Sequence, residues 1–162
     1  MSFNNNWSRW LRRILDLAPD ASANIIEFLR QRYVEEAQRI ARFERHAERM
    51  HYSQDRESFC QMARETRSDA DRIGEKIVAR GGGLPAVEQC RSTEENSWQS
   101  LSKALDEENR SADRLPEQLR RIESEYPDVA DFLQQISRTR ETQRRRIQHM
   151  LMRNDPFAHS LA

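Results

Sequence analysis

A chain of 162 residues with 36% hydrophobic and 33% charged side chains has the length and apolar content for one domain with a sizeable core. Lysine plus arginine and aspartate plus glutamate number 27 each, so no net field draws the chain to nucleic acid or to an anionic membrane. No apolar run approaches the ~20 residues of a transmembrane helix, and no membrane span is expected.

The N-terminal Met-Ser-Phe-Asn-Asn-Asn has no apolar h-region, so no signal peptide is expected. Cys60 and Cys90 lack metal spacing, and a reducing, cytoplasmic compartment is the default. Residues 7–17 read as a short amphipathic helix with Trp7, Trp10, Leu11, Ile14 and Leu15 on one face. Its expected place is as a lid on the main bundle, and its tryptophans are candidate contacts between copies. Pro19 and Asp20 then break the chain, so residues 1–19 form an N-terminal unit, 20–155 the bundle and 156–162 a loose tail.

Helix one is expected from about 22 to 51. Its stripe of Leu29, Tyr33, Ile40, Phe43, Ala47 and Met50 has a missing member, and that member is Glu36. Helix two follows a break near His51–Ser53 and runs to about Arg80, with Met62, Thr66, Asp69, Ile73 and Ile77 inward. Gly81-Gly82-Gly83 stops it, and Leu84-Pro85 opens a connection to about Cys90. The glycines follow no strand and lead into no Lys-Ser/Thr helix, so they form no phosphate loop. Ser92-Thr-Glu-Glu95 reads as a capping box opening helix three. Helix three shows Trp98, Leu101, Leu105, Ala112, Leu115, Leu119 and Ile122, with Glu108 filling the gap, and Pro116 should kink or interrupt it. Tyr126-Pro127-Asp128 turns into helix four, which runs from about 128 to 153 until Asp155-Pro156.

Four long helices with one longer middle connection describe an all-α four-helix bundle with a crossover and a short extra N-terminal helix. A carboxylate in its core costs several kcal/mol, on the order of a desolvation penalty, unless cations or hydrogen bonds meet it. The cations at hand are nearly all arginine, since Lys76 and Lys103 are the only lysines. Arginine is the cation better suited to interior ion pairs.

The stretch Asp69-Ala-Asp-Arg-Ile-Gly-Glu-Lys-Ile-Val-Ala-Arg-Gly-Gly-Gly-Leu-Pro85 resembles the end of the second helix and the Gly-Leu-Pro turn of bacterioferritins, within the ferritin-like superfamily. As an arrangement of helices the resemblance covers about residues 21–155. It implies a ferritin-like bundle, which commonly dimerises side by side, and a di-iron site. That site takes one Glu from each of two helices and Glu-x-x-His from the other two. Carried over, Glu36 and Glu108 are the single glutamates, Asp69 stands where the second helix has an imidazole, and Glu141 opens the fourth-helix motif. The chain departs from the pattern: the second-helix motif is Thr66-Arg-Ser-Asp69, with Glu65 one position off the face. The fourth reads Glu141-Thr-Gln-Arg144, and Arg67 falls where bacterioferritins have their haem methionine.

The same residues support a metal-free centre. Arg144 would place a guanidinium among Glu36, Asp69, Glu108 and Glu141, with Arg140 taking part or replacing it if helix four is rotated. The expected function is therefore a non-catalytic bundle, with no cofactor, acting through self-association or a protein partner. The alternative is a divergent iron-binding or ferroxidase-type protein with a carboxylate-rich site for iron or manganese.

His46, His51, His149 and His159 are read as surface or capping residues, and Cys60 as a small core residue. No Ser-His-Asp or Cys-His grouping assembles. Arg138, Arg140, Arg144, Arg145, Arg146 and Arg153 crowd helix four; a solvated or ion-paired face is expected, and a nucleic-acid surface is not.

Overall fold

The computed structural model describes residues 21–88, 96–112 and 115–154. The segment 7–17 with Trp7 and Trp10, the proposed cap at 92–95, Cys90, His159 and the tail after Pro156 lie outside these residues. Those described form helices and no strand: α1 (Ala21–Arg49), α2 (Ser53–Ala79), α3 (Ser97–Ala112), α4 (Leu115–Ile122) and α5 (Pro127–Arg153). None is long and apolar enough to cross a membrane.

The three long helices share one spacing. In α1 Ile25, Leu29, Arg32, Glu36, Arg39, Phe43 and His46 are buried at alternating steps of four and three, and Met50 just past its end continues them. In α2 Asp55, Phe59, Met62, Thr66, Asp69 and Ile73 do the same, and in α5 Val129, Leu133, Ile136, Arg140, Gln143, Ile147 and Met150. Such a repeat keeps one face inward along the whole helix, as in a coiled coil.

The apolar members form two clusters. One holds Phe43, Met50, Phe59, Met62, Leu101, Ile147 and Met150, with Phe43 and Phe59 ring centroids 6.0 Å apart. The other holds Ile25, Leu29, Ile73, Ile77, Val129, Leu133 and Ile136, with Leu119 and Ile122 of α4 packed against it. Each fully buried Leu, Ile, Phe or Met stabilises by about 1.5–3 kcal/mol. Between the clusters lies a layer of polar side chains.

The same clusters fix the topology. α1 and α5 run from the second cluster to the first; α2 runs the other way, and α3 starts by the first cluster. Ser97 Oγ donates to Arg49 O at 2.7 Å, tying the start of α3 to the end of α1. α2 ends beside the opposite cluster, so the connection from α2 to α3 is a crossover. Residues 80–96 can reach: at about 3.3 Å per residue they exceed the ~40 Å rise of α2.

The ends follow local chemistry. Gly81 (φ 80°) and Gly82 close α2, Gly82 N–H donating to Ile77 O at 3.0 Å and Gly81 N–H to Val78 O at 2.9 Å. This is the paired-bond stop that a glycine in the left-handed region permits. α3 opens on a capping box formed by Asn96 and Gln99. Asn96 Oδ1 accepts from Gln99 N–H at 2.9 Å, and Asn96 N–H donates to Gln99 Oε1 at 3.2 Å. The interruption expected near Pro116 is present: α3 ends at Ala112 and α4 begins at Leu115, with Pro116 in its first turn, where its missing N–H costs no bond. Pro127 opens α5 as expected. At the other end of α5, Arg153 and Asn154 donate to buried Asp55 at 2.6 and 2.8 Å, clamping it to the first turn of α2.

The stripes need two corrections. In α1 Arg32 and Arg39 are buried, whereas Tyr33 and Ile40 beside them are only partly buried. Trp98 is 40% exposed; Ser100, Leu101, Ala104 and Glu108 face inward instead.

A buried four-helix ion layer as the candidate functional site

The polar layer is built from consecutive inward positions: Glu36 and Arg39 on α1, Thr66 and Asp69 on α2, Glu108 on α3, Arg140 and Gln143 on α5. Its centre is Arg39, 1% exposed. The guanidinium donates from Nε to Glu108 Oε1 at 3.0 Å and from Nη2 to Glu108 Oε2 at 2.6 Å, a bidentate pair. Nη1 donates to Glu36 Oε2 at 2.7 Å and Nη2 to Gln143 Oε1 at 2.8 Å. Glu36 accepts a second guanidinium on its other oxygen, Arg140 Nε at 2.8 Å and Nη2 closer still. Two carboxylates and two guanidiniums therefore cancel in charge, with each Glu36 oxygen occupied.

Gln143 joins this group to α2. Its amide donates to Met62 O at 3.4 Å, Thr66 Oγ1 at 3.3 Å and Glu65 Oε2 at 3.2 Å. Thr66 Oγ1 turns back to Met62 O at 2.8 Å. Glu65, half-buried, also takes Arg146 at 2.9 Å. The layer thus joins α1, α2, α3 and α5.

Electrostatics follow from this wiring. Burial alone would raise the Glu36 carboxyl pKa, but the charges of Arg39 and Arg140 outweigh it and hold the group below its ordinary value. Burial likewise works against the Arg39 charge, and Glu36 and Glu108 overcome it, fixing the guanidinium as a permanent cation. Asp69 differs. Burial first, then the nearby Glu36 charge, push its carboxyl up to about 6 against the pull of Arg72, Arg39 and Arg140. Its contact with Arg72 is long, at 3.5 Å.

The structure brings Glu36, Asp69 and Glu108 into one layer and leaves Glu141 and Arg144 out of it. Glu141 lies at the surface, bound by Arg144 at 2.7 Å and Arg145 at 2.9 Å, whose hydrogen bonds lower its pKa. Arg144 also donates to Asn109 at 3.1 Å. The reason is helical phase: Leu133, Ile136, Ile147 and Met150 face inward, and the same steps bring in 140 and 143, turning 141 and 144 outward. Arg140 is therefore the inward arginine of α5. Arg39, the cation at the centre, is masked in the sequence by apolar Ile40 beside it. The steps 29, 32, 36, 39, 43 along α1 lead to it.

His46 is another correction: it is buried, its Nδ1 paired with Ser100 Oγ at 2.5 Å and its ring 5.4 Å from that of Phe59. His51 and His149 are exposed, and Cys60 is partly buried against the first cluster. Of the arginines on α5, Arg140, Arg144, Arg145, Arg146 and Arg153 each pair with a carboxylate. Arg67, at the haem-methionine position of the resemblance, is exposed and pairs with Glu44 at 2.7 Å.

These donors do not fit a di-iron centre. Among the described residues no three histidine, cysteine, aspartate or glutamate side chains converge to hold a metal ion. The Glu36 and Glu108 oxygens that would face iron face guanidinium nitrogens instead. No protein-family model, curated protein or solved structure matches the chain.

Proposed function

We propose that the chain is a non-catalytic, ferritin-like helical bundle that works as a scaffold, by associating with itself or with a protein partner. The observation that carries this reading is the Arg39 guanidinium seated between Glu36 and Glu108, which gives both carboxylates their counter-charge without a cofactor. A buried ion layer of this kind is a weak source of net stability, but mispaired registers would strand its charges. It suits a rigid scaffold whose helices must keep one alignment. The side-by-side pairing of ferritin-like bundles supports self-association, and the tryptophans at 7 and 10 remain the proposed contact residues.

Light scattering of the full chain at micromolar concentration tests the reading. A stable dimer or higher oligomer is expected; a monomer would remove self-association and leave the partner reading alone. Aerobic Fe²⁺ oxidation in the same samples should match the buffer blank, and acceleration by the protein would favour the iron-handling alternative.

A further inference from the structure

The surroundings of the Arg39 guanidinium have a chemistry of their own. Four oxygens from three side chains converge on it: Glu108 Oε1 and Oε2, Glu36 Oε2 and Gln143 Oε1, each 2.6–3.0 Å from a guanidinium nitrogen. Two of the three side chains are anionic, and they come from α1, α3 and α5. All are nearly inaccessible to water. Oxygen-only donors with two negative charges are what a hard divalent cation takes, its remaining positions being filled by water.

We infer that this is a cation receptor whose resident cation is part of the chain, so that the native protein is sealed against metals there and loss of the Arg39 side chain opens a site for a hard divalent ion. The native layer carries two guanidiniums against Glu36 and Glu108, and a dication beside Arg39 would meet like charge at close range. Truncating Arg39 leaves the Arg140 contact with Glu36 in place, frees the four oxygens and leaves a buried negative charge uncompensated. A cavity of about 50 Å³ lies beside the layer between α3 and α5, lined by Glu108, Ala112, Ser137, Arg140, Glu141 and Arg144. This inference rests on the metal-free reading of the layer and is independent of whether the chain associates.

The test uses the full chain and MnCl₂, with Mn²⁺ followed by electron paramagnetic resonance and unfolding by circular dichroism. Native protein should leave the free-Mn²⁺ signal unchanged and its melting temperature unshifted. Arg39→Ala should melt well below the native chain and bind one Mn²⁺. Its melting temperature should rise by about 5–10 °C at a hundredfold excess over the dissociation constant. Arg39→Met, whose side chain refills the cradle without charge, should show no such rise. If Arg39→Ala is unfolded as purified, Mn²⁺ should restore its helical signal, as metal binding drives folding where ligands are otherwise stranded. Failure of Mn²⁺ to bind or restore Arg39→Ala overturns the receptor; binding by the native chain at the same site overturns the seal. An oligomeric state that contradicts the scaffold reading leaves both outcomes readable.

Discussion

Asp69 shares the charged layer with Glu36 but not its hydrogen bonds. Arg39 and Arg140 turn to Glu36, and Arg72 reaches Asp69 only at 3.5 Å from a half-exposed position. A carboxyl pushed up to about 6 in the folded chain and near its ordinary ~3.9 when unfolded binds its proton more tightly in the fold. Between those values the folded state holds more protons, so this group's contribution to stability is present below about pH 4 and is lost as pH rises through about 6. The full swing is on the order of 2–3 kcal/mol. Asp69→Asn removes the ionisation and keeps the shape, so its stability relative to the native chain should improve by about 2 kcal/mol between pH 4 and pH 8. Urea unfolding of both proteins across that range measures this. A gap that stays constant with pH would show that Asp69 ionises as freely in the fold as outside it.

At the scale of elements, the stop of α2 sets where the crossover begins. Gly81 supplies the left-handed turn, and Gly82 supplies room: a Cβ there would lie 2.7 Å from Ile26 Cγ2 and 2.8 Å from Ile77 Cγ2. Both neighbours are branched side chains packed with the second apolar cluster, so neither can swing aside cheaply. Gly82→Ala should therefore destabilise by about 1–3 kcal/mol, the usual range for overpacking. Gly83→Ala is the control, since the nearest atom to its added Cβ is Arg30 Nη2 at 3.6 Å. It should stay within about 0.5 kcal/mol of the native chain. Equal denaturation midpoints for the two variants would mean that α2 does not end as tightly against α1 as the distances require.

Over the whole molecule, most helix ends are legible because they depend on local chemistry. Gly81-Gly82-Gly83, Pro116 and Pro127 act through their own backbones, and Asn96-Ser-Trp-Gln99 carries a capping signature of the same local kind. Glu36, Asp69 and Glu108 were legible as charged interruptions of apolar stripes. The central cation was not, because α1 offers two interleaved phases that share Leu29, Glu36, Phe43 and Met50. Apolar character alone prefers Tyr33 and Ile40. What decides for Arg39 lies on other helices: Glu108 and Gln143 give it acceptors, and their positions follow only from the assembled bundle. On α5, Leu133, Ile136, Ile147 and Met150 bracket a gap that the same steps fill with Arg140 and Gln143, so Glu141 and Arg144 fell outside for a reason present in the spacing.

The central claim is that arginine, not metal, neutralises the buried carboxylates. Metal analysis of the full chain, purified without chelators from cells supplied with iron and manganese, tests it most directly, with Glu36→Ala plus Glu108→Ala as the comparison. Well under 0.1 metal ion per chain is predicted in both proteins, on the order of a trace background. About two metal ions per chain, lost in the double variant, would contradict the account and return Glu36 and Glu108 to the role of ligands.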